Sequence, residues 1–275
     1  MNAPIRQPLL EKFFRPRVIR LRPKAAGSLR LATFNAHFGR QPRAIAQMFL
    51  NNPNLAECDV IVLQEVEQRV GEKSSRAAQI ASLLGMRAIY VPARQLPFGR
   101  GSHGLAVLSH LPVRSATAIK LPVFPLLRTR PRVAVAFEVK FLGQKIKIYN
   151  VHLNGPLNYH KRLQQLRGVI EVVGRERAAR PQILAGDFNT IPLTTLASTM
   201  IPVFYNNQKK KLRAFLKAEG FETASQAVGH TSSWGLVKFQ LDGIYPKRAR
   251  LVQFAVERKI KVSDHFPLWA DIAFD

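Results

Sequence analysis

Short apolar segments of two kinds alternate along the chain from Leu29 onward. Residues 59–65 (DVIVLQE) form a compact apolar run, which is typical of a buried strand. Residues 158–178 instead repeat Leu163, Leu166, Ile170 and Val173 at three- and four-residue spacing, which is typical of an amphipathic helix. The same patterns predict further strands at 29–34, 104–109, 132–141, 145–152, 181–187, 239–244, 250–256 and 266–274, and helices at 43–51, 74–84 and 209–217.

This order of segments predicts an α/β domain over residues 29–275. About ten predicted strands, some separated by turn signals such as Leu142-Gly143, alternate with several helices, so we expect two packed sheets with helices on the outside. Three segments without a clear pattern, 90–102, 121–130 and 199–211, are expected to be loops that line a pocket.

The net charge is the unusual feature of the composition. Lys and Arg number 42 against 17 Asp and Glu, which gives a formal charge of +25. Residues 1–28 are basic and contain four prolines, and they predict a flexible basic arm, but the remainder of the chain is basic as well. A strongly positive electrostatic potential favours the binding of polyanions, either nucleic acid or an anionic membrane surface that residues 1–28 would contact. A basic surface is also explained by solubility alone.

Several classes of protein are excluded by composition. Hydrophobic residues make up 47% of the chain, so a disordered protein is excluded, and the one cysteine, Cys58, rules out an intramolecular disulfide or a cysteine-based zinc site. The sequence has neither an apolar run long enough for a transmembrane helix nor the apolar core of a signal peptide. We therefore expect a cytoplasmic protein, while the arginine-rich start leaves an organelle transit peptide open.

Most predicted strands end in a polar or ionisable residue that a hydrophobic strand does not need. One such residue carries little information, but their recurrence predicts a polar site at a shared edge of the sheets. The residues at these ends are Asn35, Gln64-Glu65, His152, Asp187-Phe188-Asn189, Asp242 and Ser263-Asp264-His265.

Strand periodicity indicates which way two of these groups point. In the strand at 145–152, Ile146, Ile148 and Asn150 share a face with His152, so the imidazole continues the apolar, inward face. In the strand at 181–187, Asp187 likewise continues an inward face, and Asn189 follows on the same side.

Clustered carboxylates repel one another, and burial raises their pKa values, so such a site needs a cation. Oxygen ligands without thiolates indicate Mg²⁺, or Mn²⁺ as a substitute, rather than structural zinc. A Mg²⁺ ion with imidazoles beside it suits the hydrolysis of a phosphate ester.

The motifs resemble those of the endonuclease/exonuclease/phosphatase superfamily, which includes pancreatic-type DNases, apurinic endonucleases, neutral sphingomyelinases and inositol-polyphosphate phosphatases. The resemblance extends from Leu29 to about Ile272 and implies a four-layer α/β sandwich, in which two packed, mostly antiparallel sheets are flanked by helices and the site lies at one end of the sheets. It rests on Thr33-Phe34-Asn35, Leu63-Gln64-Glu65-Val66, residues 103–112 (HGLAVLSHLP), Tyr149-Asn150-Val151-His152-Leu153, Ala185-Gly186-Asp187-Phe188-Asn189, Leu241-Asp242-Gly243-Ile244 and Ser263-Asp264-His265-Phe266-Pro267, in that order.

The resemblance also implies a role for each site residue. Glu65 would be the main metal ligand, helped by Asn35 and Asp264. Asp187 would position the attacking water, and Asn189 would contact the phosphate. His265, held by Asp242, would act on the phosphate or as acid and base, and His152 would be a second histidine in contact with the phosphate. A phosphate-binding arginine of the family corresponds to Arg132 or to one of its neighbours, Arg128 and Arg130.

One position distinguishes branches of the family, and another departs from the family pattern. Apurinic endonucleases have tyrosine where this chain has His152, so the chain resembles the DNase, sphingomyelinase and generic hydrolase branches more closely. Gly243 replaces a bulkier residue. The histidines at 37, 103, 110, 160 and 230 are expected to be surface or core residues rather than ligands.

Three functions remain open at this point. The first is a Mg²⁺-dependent phosphodiesterase that acts on nucleic acid, which the basic charge favours because phosphate contacts release counterions. The second is the same chemistry on a phospholipid or another phosphoester, with Phe13 and Phe14 of the arm at a membrane. The third is a catalytically silent module that binds nucleic acid or another partner on the same fold.

Overall fold

The computed structural model describes residues 22–125, 129–155, 159–175, 180–190, 201–234, 237–259 and 262–274. Strands dominate these residues, in agreement with the expected α/β fold. The strands are β1 (Leu29–Phe38), β2 (Val60–Arg69), β3 (Arg87–Gln95), β4 (Gly101–Ser109), β5 (Val113–Lys120), β6 (Val133–Phe141), β7 (Gln144–His152), β8 (Gln182–Asp187), β9 (Ser232–Trp234), β10 (Val237–Phe239), β11 (Asp242–Lys247), β12 (Arg250–Val256) and β13 (Leu268–Ala273). The helices are α1 (Pro42–Asn51), α2 (Pro53–Ala56), α3 (Arg76–Leu84), α4 (Tyr159–Arg175) and α5 (Ile201–Ala218).

The strands form two large sheets. The first has six strands in the order β12-β13-β1-β2-β4-β3, and the second has five in the order β11-β8-β7-β6-β5. Strand β1 is parallel to β2 and β7 is parallel to β8, while the other neighbours within these sheets are antiparallel. The two parallel pairs occupy the middle of the sheets and bring the carboxyl ends of four strands to one edge.

Alternation along the central strands creates three apolar layers. Ile146 and Ile148 of β7 pack between the two sheets, while Tyr149 and Val151 of the same strand pack against α4. On the other side of the molecule, α1 and α3 cover the outer face of the first sheet through residues such as Phe49 and Ile80. The expected four-layer α/β sandwich is therefore confirmed, and the predicted inward face of β7 lies between its two sheets.

The expected single strand at 239–244 is wrong. Strand β10 ends at Phe239 and β11 begins at Asp242. The break arises because the backbone amides of Leu241 and Asp242 both donate to Thr231 Oγ1, at 2.9 and 3.0 Å, and the Gln240 carbonyl accepts from the Thr190 hydroxyl at 3.0 Å. Side-chain hydroxyls thus replace the sheet partners of this short segment.

Two of the three predicted loops are also wrong. Residues 90–102 form most of the hairpin between β3 and β4, and α5 occupies 201–211 of the segment at 199–211, whose first two residues lie outside the described part. Strand β3 escapes pattern recognition because it is an edge strand with Pro92 in it and only half-buried side chains, so it lacks a strong alternation. Strand β5, the other unpredicted edge strand, is mostly exposed.

Part of the predicted N-terminal arm lies against the domain. The Lys24 ammonium contacts Asp59 Oδ2 at 2.6 Å, and the Ala25 amide donates to Asp271 Oδ2 at 2.7 Å. Asp271 also holds the fully buried Arg30, whose Nε lies 2.6 Å from Asp271 Oδ1. Residues 1–21 of the arm are outside the described residues.

Cys58 is buried, and burial raises the pKa of its thiol, so the thiol is unreactive. Among the described helices, no segment combines the length and the apolarity that crossing a bilayer requires.

Gly186, next to Asp187, allows the two central strands of the second sheet to approach. Its φ is +146°, and a Cβ atom at this position would collide with the backbone carbonyl of Val151 on β7. The parallel pairing of Val151 with Gly186 and of His152 with Asp187 therefore depends on the absence of a side chain here.

We expect Gly186→Ala to lower the free energy of unfolding by about 2–5 kcal/mol, because it adds backbone strain to a steric clash. Gly143→Ala is the matched control, since Gly143 also has a positive φ (+83°) but nothing lies within 4 Å of its added Cβ. The control should cost about 1 kcal/mol. Urea denaturation measures both, and equal losses would show that the close approach of the strands is not limiting.

Candidate active site

The ends of several strands from both sheets meet in one polar cleft. Strands β1 and β2 contribute Asn35 and Glu65 from the first sheet, and β7, β8 and β11 contribute groups from the second. The segment before β13 contributes Asp264 and His265. The structure thereby brings together the predicted residues Asn35, Glu65, Arg132, His152, Asp187, Asn189, Asp242, Asp264 and His265.

A β-bulge directs Glu65 into the cleft. The pairing of β2 with β4 changes register between Leu63 and Val66, and Glu65 has a φ of +52°. The bulge allows the carboxylate of Glu65 to leave the alternation of the strand. Its side chain is 20% exposed, and its Oε1 lies 3.7 Å from His152 Nε2.

Two buried amides support this bulge from the space between the sheets. Asn150 of β7 donates through Nδ2 to the backbone carbonyls of Leu63 and Ala106, both at 3.0 Å. Gln64 donates through Nε2 to Asn150 Oδ1 at 2.8 Å. The two carbonyls belong to β2 and β4, at the last residue pair before the register changes. The amide of Asn150 therefore connects the strand that carries Glu65 to the strand that carries His152.

The Asp187 carboxylate lies at the centre of the site and is almost fully buried. Its Oδ2 accepts a hydrogen bond from Asn35 Nδ2 at 3.0 Å, and its Oδ1 accepts one from the Asn189 backbone amide at 2.9 Å. The Nε2 atoms of His152 and His265 lie 3.6 and 3.9 Å from the same Oδ2. Burial raises the pKa of Asp187 to about 7, although the nearby His265 imidazolium opposes the rise.

His265 is held by Asp242, with 2.9 Å between its Nδ1 and Asp242 Oδ2. Both side chains are buried. Although burial alone would lower the pKa of His265, the charge and the hydrogen bond of Asp242 raise it to about 10. His265 is therefore a cation at neutral pH, and its Nε2–H faces Asp187.

His152 has the opposite protonation. Burial, together with the charge of Arg132, lowers its pKa well below the ordinary value of 6.5. Arg132 Nη1 lies 2.9 Å from His152 Nδ1 and 3.5 Å from His103 Nε2. Burial also lowers the pKa of His103, to about 3, so two neutral imidazoles flank one guanidinium.

Asn189 and Asp264 occupy two sides of the cleft. Asn189 has a φ of +48° and donates through Nδ2 to the Leu153 carbonyl at 2.9 Å, so its amide is fixed beside Asp187. Asp264 is 35% exposed at the rim, where its Oδ1 lies 3.2 Å from His37 Nδ1. The Ser263 hydroxyl links this rim to β1, because it donates to the Asn35 carbonyl at 2.8 Å.

The donor set of the cleft fits a metal ion. Among the described residues, no lysine or arginine forms an ion pair with Glu65, and the imidazole beside it is neutral. Asn35 adds an amide oxygen, and Asp264 adds a carboxylate at the rim. Two groups have ligand atoms close enough together for one ion, within 4.8 Å: Glu65 with His103 and His152, and Asp187 with Asp242 and His265. The second group is less suited to a cation, because Asp242 is already in contact with His265 and the positive charge of His265 repels a metal ion.

Sequence reasoning missed four residues of this site. Gln64 and Asn150 lie within recognised motifs but had no assigned role, and His103 was expected to be a surface or core residue. Asn154, whose Oδ1 lies 3.4 Å from Arg132 Nε, was not considered. A signal for Asn154 did exist, since Asn150, His152 and Asn154 continue the two-residue period of β7 past its last residue.

Comparison with known proteins identifies a family. Residues 32–265 match the Endonuclease/Exonuclease/phosphatase family. No curated protein matches the chain in sequence.

Solved structures with the same fold share little sequence identity with this chain. An endonuclease/exonuclease/phosphatase from Beutenbergia cavernae superposes with a TM-score of 0.69 at 19% identity, over 90% of this chain and 72% of that chain. The human Nocturnin catalytic domain with a bound sulfate anion has a TM-score of 0.64 at 17% identity, over 92% and 96%. Truncated Caenorhabditis elegans TDP2 has a TM-score of 0.62 at 17% identity, over 90% and 97%. At this level of identity the similarity shows the fold.

We expect Asp242→Asn to lower the pKa of His265 far below the wild-type value of about 10, because burial then acts without a compensating charge. A raised pKa in the folded state stabilises the fold fully below the unfolded value of about 6.5, and this contribution is lost as the pH rises towards 10. Wild-type protein should therefore lose more stability between these pH values than the variant does.

NMR titration of the His265 ring in metal-free protein measures the first effect, and urea denaturation at several pH values measures the second. Glu138→Gln is the control, since Glu138 pairs with Arg180 in an exposed contact. An unchanged His265 titration in Asp242→Asn would contradict the assigned origin of the shift.

Proposed function

The chain belongs to the endonuclease/exonuclease/phosphatase family, and we propose that it is a Mg²⁺-dependent phosphodiesterase that hydrolyses nucleic acid. The members that give the family its name all hydrolyse phosphate esters. The single observation that carries the proposal is the buried Asp187 carboxylate, whose pKa of about 7 allows it to accept a proton from water. The cationic imidazole of His265 lies beside it, with 3.9 Å between Nε2 and Asp187 Oδ2.

Asp187 is the group suited to activate water. Its pKa of about 7 lies near physiological pH, where a carboxylate both accepts a proton and releases it again. In the proposed reaction, water attacks phosphorus and its proton passes to Asp187. The bond from phosphorus to the leaving oxygen breaks, and that oxygen keeps the electron pair and takes up a proton from solvent. Asn35 and the Asn189 amide fix the orientation of the accepting carboxylate.

His265 is suited to stabilise the negative charge that develops on the phosphoryl group. Asp242 holds the ring by Nδ1, so that its second N–H points into the cleft as a charged donor. Asn189 retains one amide hydrogen beyond its contact with Leu153, and Arg132 adds a positive charge behind His152. His265 and Asn189 are thus proposed to contact the phosphate directly, whereas Arg132 acts through its contact with His152.

Mg²⁺, or Mn²⁺ in its place, would be held by Glu65 with Asn35 and Asp264, and when bound it would neutralise charge on the phosphoryl oxygens. Oxygen donors favour a hard divalent cation over zinc or copper. The carboxylate of Glu65 is the strongest argument, because it enters the cleft at a strained position and has no cationic side chain paired with it among the described residues.

The substrate class follows from charge. A surface with a net charge of +25 binds a polyanion through several phosphate contacts at once. Near the cleft, Arg94 of β3 lies opposite His103, and Arg130 leads into β6. No hydrogen bond or ion pair is formed by either guanidinium with the described part of the chain, so both are available to a ligand.

A phospholipid substrate is the second candidate, and one surface favours it. Phe98, at the tip of the hairpin between β3 and β4, is 91% exposed, and nearby Val70 is 75% exposed. Arg100 lies over the Phe98 ring at 5.5 Å. An exposed aromatic ring with a cation beside it, next to a second exposed apolar side chain, is suited to an anionic membrane surface.

We expect the purified protein to cleave plasmid DNA, single-stranded DNA or RNA with Mg²⁺ and to lose this activity in EDTA. Asp187→Asn and His265→Ala should each lower the rate by at least about 10³-fold while remaining folded. Glu171→Gln, an exposed substitution on α4, should leave the rate unchanged.

The same assay separates the alternatives. Hydrolysis of phospholipid vesicles without hydrolysis of nucleic acid would replace the first candidate by the second. Binding of nucleic acid without turnover under Mg²⁺ or Mn²⁺ would indicate a catalytically silent binding module and would refute the enzymatic proposal.

We expect Glu65→Gln to weaken Mn²⁺ binding by at least about tenfold, because an amide replaces the unpaired carboxylate. Isothermal titration calorimetry of the protein without substrate measures this directly. Glu67→Gln is the control from the same strand, since Glu67 is already paired with Arg69 and Arg76. Equal affinity in wild type and Glu65→Gln would remove Glu65 from the proposed metal site.

A further inference from the structure

The contact between Arg132 and His152 determines which nitrogen of the imidazole carries the proton. Arg132 Nη1 lies 2.9 Å from His152 Nδ1, a normal hydrogen-bond distance. A guanidinium has five N–H donors and no acceptor. His152 Nδ1 must therefore be the acceptor, which requires that it carries no hydrogen.

A neutral imidazole with a bare Nδ1 carries its hydrogen on Nε2. The side chain is thus a neutral Nε2–H tautomer.

The Nε2–H group points into the catalytic cleft. It lies 3.6 Å from Asp187 Oδ2 and 3.7 Å from Glu65 Oε1. Both separations are longer than a good N–H···O hydrogen bond, so neither carboxylate fully satisfies this donor. The hydrogen is directed between the residue proposed to activate water and the residue proposed to hold the metal ion, which is where a phosphoryl oxygen would lie.

Arg132 is itself held in place from outside the cleft. Its Nε lies 3.4 Å from Asn154 Oδ1, and Asn154 in turn donates through Nδ2 to the Arg130 carbonyl at 3.1 Å. The Asn154 backbone amide donates to Gln165 Oε1 on α4 at 3.0 Å. The helix, the loop before β6 and the end of β7 thereby fix the guanidinium against the ring.

We infer that Arg132 is a positioning residue that fixes His152 as the Nε2–H tautomer, so that His152 donates a hydrogen bond to the substrate phosphoryl oxygen and transfers no proton. This assignment rests on the proposed function. His265 has a carboxylate at its Nδ1, whereas His152 has a guanidinium there. The two histidines of the cleft therefore act differently, His265 as a charged group and His152 as a neutral donor.

The tautomer is measured without substrate. Selective ¹⁵N labelling of histidine and two-bond ¹H–¹⁵N correlation spectra of the metal-free protein distinguish protonated from bare ring nitrogens, and a His152→Gln variant assigns the signal. We expect a bare Nδ1 and a protonated Nε2 in wild type and in Arg132→Lys, which keeps a donor. Arg132→Met should shift both signals towards a mixture of tautomers.

A wild-type spectrum with a protonated Nδ1 on His152 would overturn the inference. So would an Arg132→Met spectrum identical to that of wild type. Because this measurement requires neither substrate nor turnover, the inference about the tautomer is tested even if the chain proves to hydrolyse no nucleic acid.

Turnover tests the second half of the inference. The amide nitrogen of glutamine can replace Nε2–H, whereas that of asparagine lies nearer the position of Nδ1. We expect kcat/KM of His152→Asn to fall by about 10²–10³-fold, the loss of one donor to a developing charge, and that of His152→Gln to fall about tenfold less. The pH profile of His152→Gln should keep both limbs of the wild-type profile. Equal losses in both variants would contradict the role of His152 as a donor through Nε2–H, and the loss of one limb in His152→Gln would show that His152 transfers a proton.

Discussion

The burial of one carboxylate between two sheets is the constraint on which the site depends. Asp187 Oδ2 accepts a hydrogen bond from Asn35 of the first sheet and lies within 4 Å of two imidazoles attached to the second sheet and to the segment before β13. An acidic group in this position is costly unless its surroundings are fixed and polar. The packing that brings the strand ends together therefore also raises the pKa of Asp187, on which the proposed chemistry depends.

The second requirement is an irregular strand that is nevertheless well supported. Glu65 reaches the cleft only because β2 departs from regular pairing, and such a departure leaves backbone groups without their usual partners. Asn150 and Gln64 supply replacements from inside the sandwich. Two residues that contact no substrate in the proposed reaction thus determine where Glu65, the proposed metal ligand, lies.

The sequence was informative where a pattern has one physical cause. The inward alternation of β7 predicted that His152 lies on the same face as Ile146 and Ile148, which pack between the two sheets. Periodicity could not reveal β3, whose edge position leaves its side chains half exposed, nor the break at Gln240, which depends on hydroxyl groups distant in sequence. The order of the motifs was enough to predict most of the residues that form the site. The contact of Arg132 with His152 could not be predicted, because it depends on a distance between two strands and not on the spacing of residues along the chain.

The attachment of residues 22–28 limits the size of any ligand that could contact both this N-terminal segment and the cleft. Lys24 and Ala25 are fastened at Asp59 and Asp271, beside the first residues of β1, whereas the cleft lies at Asn35 near the other end of that strand. Six residues of strand separate the two places, roughly 20 Å. A mononucleotide or a single headgroup cannot bridge that distance. Simultaneous engagement of the N-terminal segment and the catalytic centre would select for polymers or extended surfaces, and would make chain length itself a determinant of affinity.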